Sequence, residues 1–202
     1  MMPTALITDL LAGSLQTVTM EPSGAVRPDE PPEGAILSGA FNPLHAGHEG
    51  MAVAATRLTG LPVSFELAVV NADKGALALS EIERRARQFI GRSTLVLSRS
   101  PLFTEKARLY PGRSFLLGYD TAVRLLAPRY YGGDLDMAEA LRSVREAGCH
   151  FLVAGRLSAG RFATLDDLHL AEEWADLFTQ IPEDLFRLDV SSTALRKEAG
   201  QV

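Results

Sequence analysis

The chain has only one cysteine, Cys149, among its 202 residues. A single thiol cannot form an intramolecular disulfide, so a disulfide-stabilised fold is excluded and a reducing compartment is expected. No apolar run reaches the ~20 residues that a membrane-spanning helix needs. The first residues also lack the basic segment and apolar core of a secretory signal. We therefore expect a cytoplasmic protein without a membrane partner.

Positive charge is also scarce, and no basic block is present. Lys and Arg total 20 against 25 Asp and Glu, which gives a net charge of −5. This balance disfavours an extended nucleic-acid surface, although a few local cations suffice for ATP. The absence of a G-x-x-x-x-G-K-[ST] motif excludes P-loop chemistry. What remains is the composition of an ordinary folded domain, with 47% hydrophobic and 22% charged residues.

Apolar, strand-like runs alternate with helical patterns from residue 35 onwards. This alternation predicts an α/β fold with a doubly wound parallel sheet and helices on both faces. Residues 156–167 are predicted as a loop, residues 168–179 as a helix containing Trp174 as a packing anchor, and residues 186–190 as a short strand.

The first 34 residues differ from the rest in composition. A helix is expected within residues 5–15 and a strand over 17–20, but residues 21–34 hold four prolines and two glycines. We predict that residues 1–34 are an N-terminal arm and linker, and that residues 35–202 are the domain.

The segment from Ser38 to His48, S-G-A-F-N-P-L-H-A-G-H, has the order strand, glycine turn, proline and helix start. Glycine permits close approach of backbone to a ligand, and the free N–H groups of a helix start attract anions. His45 and His48 are three residues apart, so both project from one face of the helix. The candidate phosphate contacts in this segment are Ser38, Gly39, Ala40 and Phe41, and Asn42 is a candidate contact to a second substrate.

Two other interpretations of the histidines stay open. A histidine near a helix start is commonly structural or solvated. Zinc would require three or four convergent ligands, and only Glu49 and Cys149 suggest themselves, without the spacing of a metal site.

A second helix start lies near the C-terminus, where Ser191, Ser192 and Thr193 follow a predicted strand and Arg196 lies one turn further on. Hydroxyl groups, free backbone N–H groups and an arginine at one helix end can bind the outer phosphates of a nucleotide. The alternative is simple N-capping, which Ser and Thr provide in many helices.

The two segments together resemble the signatures of the HxGH nucleotidylyltransferase superfamily, in its branch of nicotinamide or nicotinate mononucleotide adenylyltransferases. The second segment is similar to the I-S-S-T-x-I-R motif of that branch, which holds the triphosphate. The resemblance covers about residues 35–197 and implies a Rossmann-like nucleotidylyltransferase fold. It also implies ATP and a small mononucleotide as partners, with Mg²⁺ carried by the ATP rather than by a protein metal site.

Three further turns match the same branch. The resemblance implies that Lys74 lies near the phosphates, that Gly118 and Asp120 contact the adenosine, and that Arg156 binds phosphate. Where the branch has a tryptophan that stacks on the pyridine ring, this chain has Tyr130 and Tyr131. A tyrosine can stack too, so these two residues are the expected acceptor contacts.

The reaction that the resemblance implies is adenylyl transfer to the 5′-phosphate of a pyridine mononucleotide, with release of pyrophosphate, in NAD biosynthesis. The attacking phosphate is already anionic, so catalysis needs positioning and charge neutralisation rather than a protein nucleophile. His45, His48 and Arg196 are the expected catalytic residues. We expect phosphate neighbours to favour the protonated form of the histidines.

Two alternatives remain open at this stage. One is a nucleotidylyltransferase that uses CTP or another acceptor, although cytidylyltransferases combine HxGH with a different Ser/Thr motif. The other is a regulatory nucleotide-binding module without turnover. The sequence leaves open whether the chain forms a homo-oligomer.

Overall fold

A computed structural model describes residues 3–71, 75–158 and 161–187. The helices of these residues, in chain order, are α1 (Thr4–Ala12), α2 (Ala46–Thr59), α3 (Leu79–Ala86), α4 (Phe103–Leu109), α5 (Tyr119–Leu125) and α6 (Asp134–Glu146). The strands are β1 (Thr17–Met20), β2 (Val26–Pro28), β3 (Ala35–Ser38), β4 (Val63–Ala68), β5 (Val70–Asn71), β6 (Gly75–Ala76), β7 (Leu95–Ser98), β8 (Ser114–Gly118), β9 (His150–Ala154), β10 (Arg156–Ser158), β11 (Arg161–Ala163) and β12 (Phe178–Ile181).

Eight of these strands form one sheet in the order β12-β9-β8-β3-β4-β7-β1-β2. The six strands from β12 to β7 are parallel, and β1 adds to β7 in the antiparallel direction. From β3 the chain moves outward to β4 and β7, then returns to β8 on the other side of β3 and continues to β9 and β12. This is the strand order of Rossmann-like doubly wound sheets. The predicted fold class is confirmed.

Helices cover both faces of the sheet because successive strand residues point to opposite sides. Leu37 of β3 belongs to a core shared with α1, α2 and α3. Its neighbour Ile36 belongs to a second core, which α4, α5 and α6 share with the sheet. Such burial on both sides explains why β3 is a continuous apolar run in the sequence.

A charged pair is buried within the fold. Lys106 of α4 and Glu66 of β4 are 3% and 0% exposed, and Lys106 Nζ donates to both carboxylate oxygens over 2.6 and 2.7 Å. Ser98 of β7 also donates to this carboxylate. Each charge therefore has the partners that burial requires.

Two predictions for the C-terminal third are wrong. Residues 156–167, predicted as a loop, contain the β10–β11 hairpin and a 3₁₀ turn. Residues 168–179, predicted as a helix, contain the 3₁₀ helix Glu172–Leu177 and the start of β12. Trp174 is nevertheless buried in the second core, as a packing anchor should be. Phe186 and Arg187 form no strand, and the rest of the strand predicted at 186–190 lies outside the described residues.

The N-terminal residues take part in the same sheet. The predicted helix and strand correspond to α1 and β1, and β2 forms within the segment predicted as a linker. The boundary at residue 35 stays a prediction, with strands of one sheet on both sides of it. None of the described helices combines the length and apolarity needed to cross a membrane.

Candidate functional site

An open cleft of about 280 Å³ lies at the carboxyl ends of β3, β8 and β9. This is where the strand order reverses, the position at which open α/β sheets bind their ligands. The cleft is lined by Leu37, Ser38, Gly39, His45, Gly47, His48, Met51, Gly118, Tyr119, Asp120, Thr121, Gly155, Arg156 and Phe186. The cleft therefore joins the segment Ser38–His48 to motif residues that lie about 70 to 120 positions later in the sequence.

The turn after β3 is shaped by the buried ring of Phe41. A Cβ atom on Gly39 would lie 2.7 Å from this ring, so only glycine fits there without a shift. Phe41 has φ 47°, a left-handed conformation that costs a non-glycine residue about 1–3 kcal/mol. Its ring makes edge contacts with Phe65 and Phe89 in the core. Phe41 thus anchors the turn and does not line the cleft.

Both histidines stand at the start of α2. His45 is the N-cap residue, and its Nδ1 accepts the Gly47 N–H over 3.1 Å. His48 Nδ1 accepts the His45 N–H over 3.3 Å, which completes a reciprocal capping box. The two histidines therefore have the structural role that the sequence left open, because they cap the start of α2. Both residues also line the cleft, so capping does not remove them from the candidate site.

These hydrogen bonds indicate the tautomer of the two rings. A ring nitrogen that accepts a hydrogen bond carries no proton, so each neutral imidazole keeps its proton on Nε2. Burial, and to a smaller extent the charge of the neighbouring His45, lowers the pKa of His48 to about 4. At neutral pH His48 is a neutral hydrogen-bond donor. The protonated form expected from the sequence would depend on the charge of a bound phosphate.

Two turns face the histidine helix across the cleft. Gly118 ends β8 and is the N-cap of α5, and Asp120 lies in the first turn of that helix. Arg156 follows β9 and forms an ion pair with Asp120. At Gly155, a Cβ atom would lie 2.6 Å from the Phe162 ring, so this turn also depends on glycine. The structure thus brings Gly118, Asp120 and Arg156 together at the cleft.

Ser38, the last residue of β3, contributes a polar atom next to the cleft. Its Oγ is buried and has no hydrogen-bond partner among the described residues, although Ser38 lines the cleft. A buried hydroxyl without a partner is uncommon and costs free energy unless something satisfies it. This position suits a ligand oxygen.

Several predicted residues do not line the cleft. Ala40 is exposed and its carbonyl accepts from Arg85, and the Asn42 side chain accepts from Arg84. Tyr130 is 55% exposed beneath the guanidinium of Arg129. The Tyr131 hydroxyl donates to the Leu125 carbonyl, and burial raises its pKa. No stacking platform for a pyridine ring is formed by these two tyrosines at the cleft.

The remaining predicted residues, Lys74, Ser191, Ser192, Thr193 and Arg196, lie outside the described residues.

Sequence reasoning missed the apolar residues of the cleft. Met51 lies on α2 one turn after His48, and Phe186 packs against Gly50 of the same helix. The spacing of Met51 after the histidines could have indicated its position. No sequence spacing could have indicated Phe186, because tertiary packing against α2 brings it to the cleft.

The zinc alternative finds no support in the described part of the chain. No group of three or more His, Cys, Asp and Glu side chains is placed there to hold a metal ion. Cys149 is buried, and its Sγ donates to the Tyr110 carbonyl. In comparisons with known proteins, the chain matches neither a protein-family model nor a curated protein.

Proposed function

We propose that this chain binds ATP in the cleft and transfers its adenylyl group to the 5′-phosphate of a pyridine mononucleotide. The observation that carries the proposal is the shared cleft of the histidine pair, the Gly118–Asp120 turn and Arg156. These three groups come from three strand ends, and each is a residue type that nucleotide phosphates or ribose hydroxyls require.

The reaction needs little covalent participation from the protein. A phosphate oxygen of the acceptor attacks the α-phosphorus of ATP, a new P–O bond forms, and the bond to the leaving pyrophosphate breaks. His45 and His48 would each donate a hydrogen bond from Nε2–H to the negative charge that grows on the α-phosphate oxygens. Preorganised donors of this kind stabilise a transition state because they need no reorganisation when the charge develops.

Arg156 and the Ser38 hydroxyl would hold phosphate oxygens. The guanidinium of Arg156 is paired with Asp120, which keeps the arginine at the cleft. We propose that Asp120 contacts the ribose of the nucleotide, as the family resemblance implies. Lys74, Ser191, Ser192, Thr193 and Arg196 stay in the proposal as further phosphate contacts on the sequence motifs alone.

Mg²⁺ belongs to the proposal as the counter-ion of ATP. Among the described residues, the carboxylate of Asp120 is the acidic group that lines the cleft, and it is engaged by Arg156. This donor set fits an ion held mainly by the triphosphate rather than by the protein. Such an ion would neutralise part of the charge on the phosphates.

The identity of the acceptor substrate is proposed from the family resemblance, since the residues that line the cleft do not indicate it. Neither Tyr130 nor Tyr131 lines the cleft, so the pyridine ring is proposed from the motifs alone. NAD biosynthesis and a cytoplasmic location follow from the same proposal, the latter also from the single cysteine.

A pyrophosphate-release screen tests the proposal directly. The purified chain is offered ATP or CTP with nicotinamide mononucleotide, nicotinate mononucleotide and other phosphorylated acceptors. Release with ATP and a pyridine mononucleotide is the expected result. Release only with CTP or another acceptor would move the chain to a different nucleotidylyltransferase reaction. A thermal shift with ATP and no product in any mixture would indicate a binding module instead.

A further inference from the structure

We propose that Gln88 is a positioning residue whose side-chain amide holds the turn between Phe41 and Leu44, and thereby sets the geometry of the histidine pair. The inference rests on the proposed function, because it concerns the same histidines. Gln88 lies in the 3₁₀ turn Arg87–Phe89 that follows α3, and it does not line the cleft. Its effect would therefore be indirect.

The amide of Gln88 makes two opposite contacts with the turn. Its Nε2 donates to the Phe41 carbonyl over 2.9 Å, and its Oε1 accepts the Leu44 N–H over 2.8 Å. A side-chain amide offers a donor and an acceptor side by side, as a peptide group does. Gln88 thus replaces the backbone partner that a regular turn would have. A third contact, from Nε2 to the Arg85 carbonyl over 3.1 Å, ties the amide to its own helix.

The turn needs an external partner because its own residues supply few hydrogen bonds. Pro43 has no N–H to donate, and Phe41 has the left-handed φ described above. Residues held in sparsely populated conformations persist only when the surrounding structure fixes them. The two contacts of Gln88 enclose this segment, one before Pro43 and one after it.

Two arginines of α3 support the same turn. Arg85 Nη1 donates to the Ala40 carbonyl over 2.9 Å, and Arg84 Nη2 donates to Asn42 Oδ1 over 2.5 Å. Both guanidinium groups are held by Glu81, whose pKa is lowered to about 2 by hydrogen bonds from Arg84 and Arg85. One helix and its terminal turn therefore contact four of the five residues from Ala40 to Leu44.

The turn leads directly into the histidines. Leu44 precedes His45, and the His45 N–H donates to His48 Nδ1. A rotation of the peptide before His45 would therefore misdirect the hydrogen bond that determines the tautomer of His48. Displacements of about 1 Å at such a distance from the reacting atoms can lower a rate about 100-fold.

The experiment compares Gln88→Met, which loses both contacts, and Gln88→Glu, which loses the donor to Phe41, with the control Arg87→Ala. Arg87 lies next to Gln88, and its side chain makes an exposed 3.8 Å pair with Glu83. Imidazole ¹⁵N signals of His45 and His48, melting temperature, kcat and the KM for ATP are measured on the full chain. We expect both Gln88 variants to fold, to shift the imidazole signals, and to lower kcat about 10- to 100-fold with KM changed less than about 3-fold. Arg87→Ala should match the wild type.

Unshifted imidazole signals in both Gln88 variants would overturn the inference, whatever happens to turnover. A loss of kcat that only follows a lower melting temperature, with the signals unmoved, would make Gln88 merely structural. If the wild type shows no turnover with any acceptor, the proposed function fails. In that case the imidazole signals by themselves still show whether Gln88 positions the histidines.

Discussion

The imidazole rings of His45 and His48 stack on each other, with centroids 3.8 Å apart and an interplanar angle of 26°. Two unit charges at about 4 Å repel by about 4 kcal/mol in the effective dielectric near a protein surface. The stacked pair therefore resists double protonation. Because each Nδ1 accepts a backbone N–H, the structure favours a pair of neutral Nε2–H donors.

His48→Ala is expected to lower kcat about 100- to 1,000-fold, because it removes one preorganised donor to the transition-state charge. The measurement is single-turnover formation of the adenylylated product. His169→Ala is the matched control, since His169 is exposed and does not line the cleft. If His48→Ala transfers adenylyl groups at the wild-type rate, the catalytic role of the histidines is wrong.

Acid should destabilise the fold through His48. Its pKa is lowered from 6.5 to about 4 in the folded chain, so the unfolded chain binds the proton more tightly. The free energy of unfolding is therefore lost as the pH falls from about 6.5 towards 4, by up to about 3 kcal/mol from this group. Above pH ~6.5 the group contributes no pH dependence.

Urea unfolding across this pH range checks the effect. His48→Gln removes the titrating ring and should unfold with a shallower pH dependence than the wild type. Burial also lowers the pKa of His150, so the two proteins share that contribution and only their difference reports on His48. If the wild type and His48→Gln showed the same pH dependence of unfolding, His48 would have the same pKa in the folded and the unfolded chain, and the prediction would be wrong.

Arg156→Ala should weaken ATP binding about 10- to 100-fold, because a hydrogen bond to a charged group contributes about 1.5–3 kcal/mol. Calorimetric titration with ATP gives the Kd. Arg161→Ala is the control, because Arg161 lies on the other strand of the same hairpin, pairs with Asp167 and does not line the cleft. An equal Kd for the two variants would remove Arg156 from the phosphate site.

The central layers of the fold were predictable because their signal is local. The apolar runs of β3, β4, β8 and β9 are buried on both faces, and such strands are recognisable without knowledge of their neighbours. The cleft motifs follow these strands directly. The family resemblance assigned Gly118, Asp120 and Arg156 to the nucleotide site, and their positions agree with the rule that ligands bind at the carboxyl ends of parallel strands.

The region after Arg156 was less predictable because tertiary contacts decide it. Residues 178–181 form β12 through parallel pairing with β9, and this pairing overrides a sequence that looked like the end of a helix. The contacts of Gln88 with residues 41–44 likewise join positions more than 40 residues apart. No periodicity in the chain encodes such a contact.

The buried pair of Glu66 and Lys106 is another contact between distant positions that the sequence pattern does not reveal. It gives the largest stability change that we predict. Lys106→Met should lower the free energy of unfolding by about 3–5 kcal/mol, because it leaves the Glu66 carboxylate buried without its counter-charge. Adding Glu66→Gln to that variant should recover part of the loss, since no buried charge then remains. Arg142→Met is the control, because Arg142 makes an exposed 3.6 Å pair with Glu139 that should contribute less than about 1 kcal/mol. Urea unfolding at neutral pH gives the free energy of unfolding of all three variants. If Lys106→Met loses as little of this free energy as the control, the Glu66 carboxylate does not keep its charge when Lys106 is absent.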